Sequence, residues 1–126
     1  MKRRTLLTLA AAATVLTENA QAQGDKQMFG LIGKILAVPG KRDELIGYLR
    51  AGSSEMPGCL SYIVAKDAAD ENAIWVTEAW DNAASHQNSL AIPAVRETIA
   101  KARPLIAGFD TIAKTVPVGG TGLKPA

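Results

Sequence analysis

Cysteine and histidine each occur once in the 126 residues, and aromatic residues make up only 5% of them. The single thiol, Cys59, cannot close an intramolecular disulfide, and one thiol with one imidazole cannot build a cluster of soft metal ligands. No carboxylates or histidines stand at metalloenzyme spacing either, so no metal is expected. The apolar run Leu6 to Leu16 is too short for a membrane-spanning helix, which needs about 20 residues. Gly119-Gly120-Thr121-Gly122 has no helix after it and is not a phosphate loop. Charge of one sign is also missing. The chain has 14 Lys+Arg and 12 Asp+Glu, but residues 1–22 hold three of the bases (Lys2, Arg3, Arg4) and one acid (Glu18), which leaves eleven of each. Such a balance offers nothing to nucleic acid or an anionic membrane.

What is present begins with an export signal. Lys2, Arg3 and Arg4 form a basic n-region, Leu6 to Leu16 the apolar h-region, and Ala20-Gln21-Ala22 a small-x-small cleavage site. The expectation is cleavage after Ala22 and a periplasmic or secreted product. The Arg3-Arg4 pair fits a general secretory or a twin-arginine signal. Residues 23–28 read as a leader, 29–116 as one small domain, and 117–126 as a flexible tail.

The domain is organised around residues 73–86, which hold both tryptophans and the only histidine. Alternation places Ile74, Val76, Glu78 and Trp80 on one face of a strand and Trp75, Thr77 and Ala79 on the other. Asp81 is the expected N-cap of the helix that follows. Before it, Met28 to Val38 alternates as a strand, and Leu45, Tyr48 and Leu49 mark the buried stripe of a helix over 43–50. Cys59 to Lys66 is a second strand, in which a buried, inert thiol is expected. A helical region runs from Asn82 to about Ala102, interrupted near Pro93, and Gly108 to Val116 closes the chain as a strand. The order is βαββαβ, a ferredoxin-like α+β fold with a four-stranded antiparallel sheet. Its strands are apolar on both faces, yet two helices cover only one. The uncovered face predicts a homodimer, sheet against sheet, as a barrel-like core, with Trp75 as an interface anchor.

Several segments together resemble the antibiotic biosynthesis monooxygenase family, including its small quinol monooxygenases. They are Ile32-Gly33-Lys34-Ile35 with Pro39-Gly40-Lys41, Met56-Pro57-Gly58-Cys59-Leu60-Ser61-Tyr62, Thr77-Glu78-Ala79-Trp80-Asp81, and His86 ahead of Pro93-Ala94-Val95. The resemblance implies a dimeric α/β barrel and a cofactor-independent monooxygenase that uses dioxygen on quinol-like or polyphenolic substrates. Haem-degrading relatives carry an asparagine in the first strand and a histidine in the second helical region. The matching places here are Gly33 and Arg96-Glu97-Thr98, so haem chemistry is disfavoured.

An aromatic that loses a proton can itself pass an electron to dioxygen, so the protein has only to enclose it, stabilise its anion and move a proton. His86 and Glu78 are the candidate catalytic residues; Trp80 and Tyr62 are the candidate substrate contacts. Each has a structural alternative. His86 can be a surface histidine of a first helical turn, and Trp80 and Tyr62 can be packing aromatics. Glu78 can pair with Arg96, Arg103 or a lysine, the favoured alternative for that residue. A non-catalytic dimer that binds small aromatics is the competing function, and a different cofactor-free reaction is a third.

Overall fold

The computed structural model describes residues 27–125. The expected signal peptide and most of the leader lie outside the described residues. In chain order the elements are β1 (Phe29–Ala37), α1 (Arg42–Gly52), β2 (Cys59–Lys66), β3 (Ala73–Trp80), α2 (Ala83–Ser89), α3 (Pro93–Ala102), a 3-10 turn (Arg103–Leu105) and β4 (Ile106–Thr115). The strands form one antiparallel sheet in the order β2-β3-β1-β4, the ferredoxin-like arrangement.

The alternation of β1 and β3 decides where the core sits. Leu31, Ile35, Ile74 and Val76 point to the helices and are buried, and Leu45 of α1 and Ala102 of α3 close over Ile35, Ala37, Ile74 and Val76. β3 lies between β1 and β2, so its residues find neighbours on both sides. This is why Ala73, Ile74, Ala79 and Trp80 are all buried. On the opposite face Ile63 is 57% and Leu36 38% exposed.

Three local readings are corrected. The N-cap of α2 is Asn82 rather than Asp81, and its Oδ1 accepts the Ser85 N–H at 2.8 Å. Asp81 lies just past β3, and its N–H donates to the Gly58 carbonyl at 2.9 Å, which holds the end of β3 to the start of β2. β4 starts at Ile106 rather than Gly108, because the 3-10 turn delivers the chain directly into pairing with Ala37. It also ends at Thr115 rather than Val116.

Gly58 explains part of the Met56-Pro57-Gly58-Cys59 run. It has φ +83, and a Cβ there would come within 2.6 Å of Asp81 Oδ1 and 2.5 Å of Ser85 Oγ. A side chain is therefore excluded both by backbone conformation and by the approach of α2. After β4 the described residues form neither helix nor strand. Pro117 lies 3.1 Å from where a Gly30 Cβ would stand, and the Lys124 N–H donates to the Leu60 carbonyl at 2.9 Å.

Candidate active site

Between the sheet and the helices lies a cavity of about 580 Å³. Its floor comes from β1 and β3, its walls from α1, α2 and α3, and Phe109, Thr111 and Lys114 of β4 complete one side. Most of the lining is apolar. Tyr62, Glu78, Trp80 and His86 all contribute to it, so the four candidate residues share one space.

β3 sets two of them two residues apart on the same face. The Trp80 indole is buried, and its Nε1–H donates to Glu78 Oε1 at 3.0 Å. His86 stands over both from the first turns of α2. Its Nε2 is 3.9 Å from the same Oε1, and its ring meets Trp80 edge-on with centroids 5.5 Å apart. That nitrogen–oxygen separation is too long for a hydrogen bond, so the two groups are charge neighbours that a small movement would join. On its other side the imidazole packs against Phe29 at 5.1 Å between centroids. The turn carrying it is held by Ser89, whose buried hydroxyl donates to the His86 carbonyl at 2.6 Å.

The expected pairing of Glu78 with Arg96, Arg103 or a lysine does not occur; its partners are Trp80 and His86. The reason is burial. Glu78 faces the cavity, whereas Arg96 and Arg103 are exposed. Desolvation pushes the Glu78 carboxyl above the usual glutamate range, and the Trp80 indole and His86 only partly offset it. A carboxyl held in that way is suited to taking up and releasing a proton.

Tyr62 sits directly across from Glu78 in the β2–β3 register. Burial raises its phenol well above the ordinary tyrosine value, and the negative charges of Glu78 and Cys59 add to the effect. It remains a hydrogen-bond donor at neutral pH, and among the described residues its hydroxyl has no partner. The neighbouring Cys59 thiol is also raised by burial, which keeps the reactive thiolate scarce.

Trp75, on the other face, is only half-buried. Its Nε1–H donates to Asp67 Oδ2 at 2.7 Å, and the Lys34 ammonium lies 5.4 Å from its ring centroid. The Asp67 carboxylate is held down to about 2 by the Asp70 N–H first, then by this indole and the Ala69 N–H. The ring is thus tied to the β2–β3 hairpin.

Sequence reasoning missed Phe29 and Lys114 as cavity residues. Phe29 was legible from its place in line with Leu31. Lys114 was not, because an irregularity in β4 decides which way it faces.

The sequence profile of the antibiotic biosynthesis monooxygenases matches residues 28–101. The chain belongs to that family. A crystal structure from Chloroflexus aurantiacus J-10-fl, described provisionally as an antibiotic biosynthesis monooxygenase, is 57% identical, with a TM-score of 0.74 over 76% of this chain and 98% of that one. A second, from Caulobacter crescentus CB15 and described in the same way, shares the fold at 17% identity, with a TM-score of 0.69 over 80% of this chain and 99% of that one. A third, from Nitrosomonas europaea, does so at 13% identity, with a TM-score of 0.69 over 77% and 96%. No protein of curated function matches the chain. In this family member the candidate site is the Glu78–Trp80–His86 group and the apolar space in front of it.

Proposed function

We propose that the protein is a cofactor-independent monooxygenase that oxidises quinol-like or polyphenolic aromatics with dioxygen. The observation that carries this reading is the convergence of Glu78, Trp80 and His86 on one end of an apolar cavity of about 580 Å³. That volume is in the range of small-molecule sites and accommodates a fused aromatic.

In this reading the apolar lining binds the ring and excludes water. His86 takes a phenolic proton, and Glu78 stands beside the imidazolium so formed. Tyr62 donates a hydrogen bond to the developing oxyanion. The electron-rich anion passes an electron to dioxygen, and the radical pair joins at a ring carbon. Loss of water then leaves one oxygen atom on the product. For a hydroquinone the products are a hydroxyquinone and water, so its four electrons all reach dioxygen.

Oxygen uptake with hydroquinones, anthrones and naphthohydroquinones tests the reading. The expected result is enzyme-dependent uptake with one labelled oxygen atom retained in the product. Binding without uptake would make the protein a carrier of small aromatics. Product formed under anaerobic conditions would point to a different reaction in the same cavity.

The working unit in this reading is a homodimer joined through the sheet face that carries Ile63, Leu36 and Trp75, since an apolar surface of that kind is a partner site. Ile63→Lys should split the dimer in light scattering while leaving the far-UV spectrum unchanged. A wild-type monomer at micromolar concentration would overturn the assembly. Export rests on residues 1–22, whose basic, apolar and small-residue regions support it.

A further inference from the structure

β4 contains an irregularity with a chemical consequence. Gly33 of β1 pairs with Thr111, but Ile32 pairs with Ala113, so Ile112 is an extra residue on β4. Such a bulge reverses the phase of every residue after it. Phe109 and Thr111 face the cavity ahead of the bulge; with strict alternation Ala113 and Thr115 would follow them, and Lys114 would face away. Instead Lys114 pairs with Leu31 and lines the cavity, while Thr115 turns to the Gly30 side.

The register then shows a row across all four strands on the cavity side: Tyr62, Glu78, Leu31, Lys114. Glu78 and Lys114 are separated by two strand spacings, about 10 Å between backbones. Lys114 is exposed as well as cavity-lining, which places its ammonium at the mouth. The other ionisable groups facing this space are Glu78, His86, Tyr62 and Tyr48. Among the described residues no carboxylate lies within 4.0 Å of the Lys114 ammonium.

We propose that Lys114 is a specificity-determining residue that anchors an anionic substituent of the substrate, so the preferred substrates are phenols or quinols bearing a carboxylate at the end remote from the reacting hydroxyl. This rests on the aromatic-substrate reading above and narrows it. A ring lying over Leu31 places its hydroxyl toward Glu78, Tyr62 and His86 and its carboxylate toward Lys114. An unpartnered ammonium at the rim of an apolar cavity attracts such a charge over the neutral congener.

Calorimetric titration with two probes tests it: 2-naphthol and 6-hydroxy-2-naphthoate, which differ by the carboxylate alone. The wild type is expected to bind the naphthoate up to about fivefold more tightly at low salt, the size of one exposed charge pair. Lys114→Gln should bring the ratio close to one, and Lys114→Arg should restore most of it. An unchanged ratio in Lys114→Gln would overturn the proposal and leave the lysine as a guard on an edge strand. Failure of the wild type to bind either probe would overturn both this proposal and the aromatic-substrate reading. A Lys114-dependent preference without oxygen uptake from any quinol would sustain the anchor and remove only the oxygenase.

Discussion

His86→Ala is expected to lower turnover at least 100-fold, the lower end of what a general acid or base contributes. The prediction follows from geometry: an imidazole clamped between Phe29 and Trp80, with a carboxyl oxygen 3.9 Å away. A loss under tenfold, measured as kcat for oxygen uptake, would demote His86 to packing. Glu78→Gln separates the roles further. The amide oxygen can still accept the Trp80 N–H, so the site keeps its shape while the proton-carrying group is lost. If Glu78 is the charge partner of the imidazolium, the Gln variant should shift the acidic limb of the pH–rate profile. Stability should respond in the opposite sense. Because burial raises the Glu78 carboxyl, its contribution to folding is full below the ordinary glutamate range and is lost as pH rises through the raised value. Glu78→Gln removes that loss, so its stability relative to the wild type should improve as the pH is raised from mildly acidic to neutral.

Trp80→Ala carries the largest expected structural effect. The side chain is 1% exposed, at the end of β3, and forms part of the cavity wall. Truncating a buried tryptophan costs about 3–5 kcal/mol, a large part of the 5–15 kcal/mol available to a typical domain. Chemical denaturation followed by far-UV circular dichroism measures it. Trp80→Phe separates packing from polarity. It keeps most of the ring but removes the donor to Glu78, so it should cost less stability and push the Glu78 carboxyl higher still. Equal destabilisation by both variants would mean that the indole N–H, rather than the ring, holds this end of the sheet.

The fold was legible because β2 and β3 alternate without ambiguity and are bounded by Pro57-Gly58 and by the polar hairpin 67–72. Burial on both sides of β3 made Ala73 to Trp80 readable to the residue. The division of Ile74, Val76, Glu78 and Trp80 from Trp75, Thr77 and Ala79 then brought the candidate residues to one face. What escaped depends on events that leave no periodic trace. Asp81 and Asn82 are both good caps, and the choice is made by the tertiary bond from the Asp81 N–H to Gly58. The Ile112 bulge is invisible to period-2 counting, so the direction of Lys114 could not be read. Glu78 was expected to find a cation in preference to an indole, because sequence does not show that the arginines nearby stay in solvent.

The path of the chain after β4 has a practical consequence. Pro117 passes over Gly30 and the Lys124 amide reaches Leu60, so the carboxyl end returns to the strand ends from which β1 departs at Phe29. The start of β2, which Lys124 reaches, and the start of β1 lie on either side of β3, about two strand spacings or roughly 10 Å apart. A linker of a few residues could join Lys124 to Met28, and new termini could be opened at the exposed Ala68–Ala69 in the hairpin. Such a circularly permuted chain would keep every strand pair while moving both ends away from the cavity.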